Sequence, residues 1–280
     1  MSLKAALSAA LARRGYELRR TTAAPARSPQ PAPAGERLVS APTFILCSVR
    51  SGSTLLRVLL NSHSRLFAPQ ELHFRFIRVR LTRHWSKRSM AELGLDKEGL
   101  EYLLWDRILH RQLAASGKPR LVCKTPSDVF IADRIRACWP DARFIFLLRH
   151  PAAIARSRAA VARDRDPERN LRVVRRYCEA LEGARQAYDG LTVRYEDLTA
   201  DPVGETRRIC AFLDVPWEPA MLEYGRGDHG RYKAGLGDWA QKIRSGRVQP
   251  APPPPPLSET PEPLRELAET WGYAPSRTTA

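Results

Sequence analysis

The chain has 280 residues, 43% of them hydrophobic and 27% charged, so it can bury one good core and is not an intrinsically disordered chain. Its formal net charge of +16 favours anionic partners in general without naming one. The basic residues are spread along the chain and do not alternate with stacking aromatic residues, which argues against a nucleic-acid-binding surface.

Five cysteines are scattered without the CxxC spacing of a zinc site: Cys47, Cys123, Cys138, Cys178 and Cys210. Three of them fall within apolar strand or helix patterns, which favours buried free thiols over disulfides. Because free thiols are typical of a reducing compartment, we predict a cytoplasmic location. No segment approaches the roughly 20 apolar residues of a membrane-spanning helix.

The first 36 residues predict an appendage to the folded domain. A basic amphipathic helix over residues 1–20 carries four residues on its apolar face: Leu3, Ala6, Leu7 and Leu11. Its short apolar stretch ends at Arg13 and Arg14 and not at a cleavage site, so we interpret it as a helix that packs on the domain or stays disordered. A weak peripheral membrane contact is the alternative. Residues 21–36 are rich in proline and alanine and predict a linker.

Residues 43–60 predict a buried strand, a turn of small residues and a helix. The apolar run ends at Cys47, and apolar residues resume at helical spacing from Leu55. Unpaired backbone N–H groups at the start of such a helix form an anion-binding cradle, and Gly52 lets the backbone approach a ligand closely. The turn adds hydroxyl donors and a cation: Ser51, Ser53, Thr54 and Arg50. The lysine of a nucleotide-triphosphate loop is absent.

Three further strands are predicted at residues 120–123, 143–148 and 191–194, with helices between them. This alternation predicts an α/β domain whose central parallel sheet is flanked by helices. Ligands of such sheets bind at the carboxyl ends of the strands. Cations stand there in three of the four cases, at Arg50, Lys124 and Arg149. We therefore expect a ligand with more than one anionic group.

The remaining segments predict helices and a lid. We predict a helix over 96–116 and another over about 128–138, whereas residues 75–88 predict a helix followed by a loop. The leucine-rich face of the first helix comprises Leu100, Leu103, Leu104, Ile108 and Leu113. The glycine-rich, basic residues 225–247 predict a mobile loop or a lid over an anionic site.

Beyond the main folded domain, placed at residues 37–248, we predict a spacer and a final helix over residues 249–280. Residues 249–256 predict a polyproline spacer. The helix that follows carries four residues on one face: Leu264, Leu267, Ala268 and Trp271.

Taken together, the loop sequence RSGST, the spacing of Arg149 and Ser157, and the RYEDL segment at Tyr195 resemble the sulfotransferases that use 3′-phosphoadenosine-5′-phosphosulfate (PAPS). The resemblance is closest to the bacterial branch and to protein-tyrosine sulfotransferases. It covers about residues 43–217, with a looser match at 233–247. It implies a P-loop-like three-layer domain and PAPS as the co-substrate, with no metal.

The resemblance also implies roles for individual residues. The loop residues expected to grip the 5′-phosphosulfate are Arg50, Ser51, Gly52, Ser53 and Thr54. Those expected at the 3′-phosphate or the nucleotide are Arg149, Ser157 and Tyr195. In the tail, Lys233, Lys242 and Arg247 are candidates to close over the 3′-phosphate or the donor.

The resemblance further implies a catalytic set. Glu71 is the expected base for the acceptor hydroxyl, and His73 is the alternative base. Arg50 and Lys124 are expected to stabilise the charge on the transferred group.

Two other functions stay open at this stage. A P-loop kinase on the same fold would need a loop lysine and an acidic magnesium ligand at a strand end, where Arg149 and His150 stand. A basic module that binds nucleic acid or acidic glycans without chemistry would bind with a steep salt dependence. For a sulfotransferase, the acceptor could be a carbohydrate, a lipid-linked sugar or a secondary metabolite, and we favour a small hydroxylated metabolite. Residues 74–85, the helix at 96–116 and the glycine-rich tail are expected to contact it.

Overall fold

A parallel sheet lies at the centre of the computed structural model, which describes residues 37–161, 166–227, 229 and 241–273. In these ranges the sheet has five strands in the order β2-β3-β1-β4-β5. The strands are β1 (Thr43–Cys47), β2 (Leu66–Phe67), β3 (Arg120–Lys124), β4 (Arg143–Leu148) and β5 (Gly190–Arg194). All four neighbouring pairs are parallel. The predicted fold class is confirmed, although the two-residue edge strand β2 was not predicted.

Nine α-helices occur in the same described ranges. They are α1 (Ser53–Asn61), α2 (His84–Glu92), α3 (Lys97–Ser116), α4 (Ala132–Cys138), α5 (Pro151–Ala159), α6 (Pro167–Ala187), α7 (Tyr195–Ala200), α8 (Pro202–Phe212) and α9 (Glu262–Thr270). Short 3-10 helices cover Phe74–Phe76, Pro126–Ile131, Pro219–Arg226, Gln241–Ser245 and Leu257–Glu259. None of the helices in this part of the chain is long and apolar enough to cross a membrane.

The alternation of side chains along β1 divides the core into two clusters. Phe44 and Leu46 point into a cluster formed with α3, α4, α5, α6 and α9, whereas Ile45 and Cys47 point into a cluster formed with α1, α7 and α8. Successive side chains of a strand point to opposite faces, so a strand buried on both faces is apolar at every position. The helices therefore cover both faces of the sheet, as the resemblance implies.

The structure corrects the predicted face of α3. Its buried residues are Glu101, Tyr102, Trp105, Asp106 and Leu109, whereas Leu103 and Leu104 are 45% and 40% exposed. Two of the buried residues are acids with several partners each, which an apolar pattern cannot reveal. Glu101 pairs with Arg134 and Arg78, and Asp106 accepts a hydrogen bond from the Trp139 indole at 3.0 Å.

Two other helix predictions also need correction. Residues 75–88 show the reverse of the predicted order, because the 3-10 helix and an irregular segment come first and α2 begins only at His84. The buried carboxylate of Glu101 accepts a hydrogen bond from the Val79 N–H at 3.0 Å, which holds the irregular segment against α3. The predicted helix over 128–138 is a 3-10 helix at first and becomes α-helical at Ala132.

The C-terminal segment packs on the same core as the sheet. Leu264, Ala268 and Trp271 are buried and Leu267 packs against them, which confirms the predicted apolar face of the final helix. All five cysteines are free and buried, as predicted. The predictions for residues 1–36, for Lys233 and for the side chain of Lys242 lie outside the described residues.

Candidate active site

The loop between β1 and α1 has the backbone of an anion cradle. Arg50 and Gly52 both adopt positive φ angles, of 63° and 84°. A Cβ atom at Gly52 would overlap the ring of Tyr195, so the loop requires glycine there for its conformation and for its space. No side chain caps the first turn of α1, and the first amides of a helix, which have no partner within the helix, point towards the turn that precedes it. Ser51 donates a hydrogen bond to the Ser48 carbonyl at 2.8 Å, which fixes the turn.

The residues predicted to bind two different phosphates form one cluster. Arg50 Nε donates to Ser157 Oγ at 3.2 Å, although 107 residues separate them in sequence. Arg149 Nη1 donates to the Arg50 carbonyl at 2.8 Å, and its guanidinium lies 4.6 Å from the centre of the Tyr195 ring. Within the described residues, no atom accepts a hydrogen bond from the buried Arg149 Nε. Two neighbouring guanidinium groups, with a buried donor of Arg149 that has no acceptor among the described residues, suit a ligand that carries several anionic groups.

A second group of side chains lies at the end of β3. Lys124 is only 2% exposed, and its Nζ contacts a carboxylate oxygen of Glu71. The other oxygen of Glu71 lies 3.4 Å from His73 Nε2. Thr125 supports this segment, because its Oγ1 accepts hydrogen bonds from the amides of Leu72 and His73 at 3.2 and 3.4 Å. The structure thus brings both candidate bases and the predicted cation together.

Asp128 belongs to the same group and was missed by the sequence analysis. It is 1% exposed, and its Oδ1 has no hydrogen-bond partner among the described residues. Burial, followed by the nearby charge of Glu71, raises the pKa of this carboxyl to about 8, whereas its hydrogen bond with Thr125 acts in the opposite direction. The carboxyl therefore keeps its proton at neutral pH. Its position three residues after the strand-end Thr125 was the one pattern that could have drawn attention to it.

A family model described as "Sulfotransferase family" matches residues 42–219, which contain both groups of site residues. The chain belongs to the sulfotransferase family. The predicted family resemblance is therefore confirmed.

Individual relatives of this sulfotransferase-family chain include curated proteins from animals and bacteria. It is 26% identical over 190 residues to the "Protein-tyrosine sulfotransferase" of Drosophila melanogaster, a match that covers 62% of the chain and 38% of the relative. It is 34% identical over 126 residues to the "Nodulation protein NoeE" of Sinorhizobium fredii, covering 41% of the chain and 30% of the relative. The chain thus spans well under half the length of these two relatives.

Solved structures agree with the family assignment. The sulfotransferase domain of the Synechococcus PCC 7002 olefin synthase superposes with a TM-score of 0.65 at 25% identity, covering 89% of the chain and 100% of that domain. The sulfotransferase domain from the curacin biosynthetic pathway superposes with a TM-score of 0.61 at 24% identity, covering 85% and 99%, and shows the same fold.

Proposed function

We propose that this protein transfers a sulfuryl group from PAPS to an acceptor hydroxyl, with Glu71 as the base. The observation that carries the proposal is the contact of Glu71 with Lys124 at the carboxyl end of β3, next to the strand that leads into the anion cradle. A carboxylate and a cation at that place supply the two groups that in-line transfer needs, a proton acceptor and a charge stabiliser.

The donor is held by the cluster at the ends of β1, β4 and β5. The amides of the cradle and Arg50 bind the 5′-phosphosulfate, while Arg149 and Ser157 bind the 3′-phosphate. The contact between Arg50 and Ser157 supports one continuous donor site, because a ligand with phosphates at both ends would touch both motifs. The fit is also supported by Arg149 Nε, a buried donor for which the described residues offer no acceptor.

The reaction breaks the bond between sulfur and the 5′-phosphate oxygen and forms a bond between sulfur and the acceptor oxygen. Glu71 takes the proton of the acceptor hydroxyl as that oxygen attacks. Lys124 and Arg50 stabilise the negative charge that builds up on the sulfuryl oxygens and on the leaving 3′,5′-adenosine bisphosphate (PAP). Loss of a proton from the acceptor and loss of PAP from the donor balance the transfer.

For the acceptor we propose a small hydroxylated metabolite. The ring of His73, which lies beside Glu71, is 6.4 Å from that of Phe76, an exposed aromatic side chain (67% accessible) that a flat or apolar acceptor could contact. The relatives include a protein-tyrosine sulfotransferase and the sulfotransferase domain of an olefin synthase. A biosynthetic metabolite agrees with the second of these.

The test is a thermal melt of the 280-residue chain, run with EDTA when PAP is the ligand and without EDTA when ATP and Mg²⁺ are added. PAP at a hundredfold excess over its Kd should stabilise the fold by about 2.7 kcal/mol and raise Tm by roughly 5–10 °C. ATP with Mg²⁺ is the comparison. Stabilisation by ATP with Mg²⁺ and none by PAP would contradict the proposal and favour a kinase.

A further inference from the structure

Arg149 and Tyr195, whose guanidinium and ring lie 4.6 Å apart, form one wall of the proposed donor site. One carboxylate, that of Glu196, connects the two backbone segments that carry them. Glu196 Oε1 accepts a hydrogen bond from the backbone N–H of His150 at 3.1 Å. Its Oε2 accepts a hydrogen bond from the Tyr273 hydroxyl at 2.7 Å. Because His150 follows Arg149 and Glu196 follows Tyr195, this one side chain connects the ends of β4 and β5 directly behind the wall.

Tyr273 reaches this carboxylate from the C-terminal segment and makes two other contacts. Its ring packs edge-on against His150, with 4.8 Å between the ring centres. The guanidinium of Arg194, the last residue of β5, lies 5.1 Å from the centre of the same ring. Burial and the charge of Glu196 raise the pKa of the Tyr273 hydroxyl, so it keeps the proton that it donates.

The segment that carries Tyr273 is itself anchored. Trp271 is 2% exposed, and its indole N–H donates to Glu182 of α6 at 2.8 Å. Arg194 also donates a hydrogen bond to the Trp271 carbonyl. These contacts fix Tyr273 relative to both α6 and β5, so its hydroxyl is held in place by the core and does not depend on Glu196 alone.

His150 is a neutral partner in this arrangement. Its Nδ1 accepts a hydrogen bond from the Ala152 N–H at 3.2 Å, which places the ring proton on Nε2. Burial, followed by the charge of Arg156, lowers the pKa of His150 to about 4. The ring therefore adds no cation to the wall at neutral pH and contributes packing against Tyr273.

We propose that Tyr273 is a positioning residue for donor binding, and that the C-terminal segment acts as a brace for the wall that receives the 3′-phosphate. The proposal rests on the proposed function of Arg149. With the Tyr273 hydroxyl as its second donor, each oxygen of Glu196 accepts one hydrogen bond, and the side chain connects the start of α5 to the start of α7. Without that bond, one oxygen of Glu196 loses its partner and the carboxylate can rotate away from His150, which loosens the spacing of Arg149 and Tyr195.

The test compares PAP with adenosine 5′-monophosphate (AMP), which lacks the 3′-phosphate. Tyr273→Phe removes only the hydroxyl, and we expect the preference for PAP over AMP to fall roughly three- to tenfold, measured as the ratio of the two Kd values by calorimetry. A general loss of structure would weaken both ligands and leave the ratio unchanged.

Tyr188→Phe is the matched control. The Tyr188 hydroxyl donates to Asp133 at 2.6 Å, but Tyr188 precedes β5 whereas Tyr195 follows it, so the two tyrosines lie at opposite ends of this strand. This variant should keep the wild-type ratio. Glu196→Met, whose side chain accepts neither bond, should lower the ratio as well, and the double variant with Tyr273→Phe should lose less than the sum of the two.

The outcomes separate the brace from the donor site itself. If the wild-type protein prefers PAP and Tyr273→Phe leaves the ratio unchanged, the brace is overturned while the donor site stands. Additive losses in the double variant would also overturn it, because the two residues would then act separately. If the wild-type protein does not bind PAP more tightly than AMP, the proposed donor site is wrong, and so is the brace that depends on it.

Discussion

The two ends of the candidate site differ in how they are built. At the end of β3, Glu71, Lys124 and Asp128 form a group of buried or largely buried ionisable side chains. At the ends of β4 and β5, Arg149 and Tyr195 form a half-buried wall of a cation on an aromatic ring. The first arrangement suits the handling of a proton, whereas the second suits the binding of an anion. Substitutions at the two ends should therefore change different quantities.

The largest expected effect is the loss of turnover in Glu71→Gln. The amide keeps the shape of the side chain but cannot accept the proton of the acceptor, so we expect kcat to fall by about 10²–10⁴ while the Kd for PAP stays within about threefold of wild type. Transfer of labelled sulfate from PAPS and calorimetry with PAP measure the two quantities.

The control for this prediction is Glu218→Gln, since the Glu218 carboxylate binds the Ser64 amide and hydroxyl away from both ends of the site. It should keep wild-type turnover. Full activity in Glu71→Gln would move the base to His73. If Glu71→Gln instead weakens PAP binding as well as lowering kcat, the two ends of the site are not separable.

An intermediate effect is expected for Arg149→Met, which removes the cation of the wall and keeps most of the apolar length. Loss of charge-assisted hydrogen bonds to a phosphate should weaken PAP binding about 10- to 100-fold, and AMP binding much less. Arg208→Met removes a surface arginine that pairs with Glu205, and it should change neither Kd. Equal losses for PAP and AMP in Arg149→Met would contradict a site for the 3′-phosphate at this residue.

The smallest expected effect is on stability and is specific to pH. The pKa of Asp128 is raised to about 8 in the folded protein, so the folded state holds a proton that the unfolded state has released above about pH 4. Stability therefore falls as the pH rises through this window. Asp128→Asn removes the titration, and we expect the variant to be more stable than wild type at pH 8.5, with the difference shrinking towards pH 4.

Urea unfolding at several pH values measures this difference. The same substitution at Asp106 is the control with the opposite sign, because the oxygens of Asp106 accept hydrogen bonds from the Leu38 and Val39 amides and from Trp139. Asp106→Asn should destabilise the fold by about 1–3 kcal/mol. A loss of stability in Asp128→Asn at every pH would mean that Asp128 is ionised in the folded protein.

The parts of the site that could be predicted from the sequence are those whose geometry is fixed by neighbouring residues in the chain. The residues from Arg50 to Thr54 are contiguous, and a strand that runs into a helix fixes where their amides point. Lys124 and Arg149 were predicted because strand ends in a parallel sheet meet at one edge. Glu71 came from the family resemblance alone, since nothing local indicates that residue 71 meets Lys124.

The parts that could not be predicted depend on distant partners. Glu196 and Tyr273 are 77 residues apart, and a proline-rich stretch between them gives no pattern that indicates contact. The buried face of α3 was wrong for a related reason. The hydrophobic pattern places apolar residues such as leucine in the core. Glu101 and Asp106 are buried because residues of other elements pair with their carboxylates. Edge strand β2 is two residues long, too short for a periodic pattern.

The five free cysteines have a practical consequence for chemical labelling. Burial raises the pKa of each thiol, to about 11 for Cys47 and Cys210 and about 12 for Cys138 and Cys178, and well above its usual value for Cys123. Because the thiolate is the reactive form, the folded protein should resist maleimides and exchange reagents at all five positions. A single cysteine introduced at an exposed position, such as Phe76, would then accept a fluorophore selectively without removal of the native thiols.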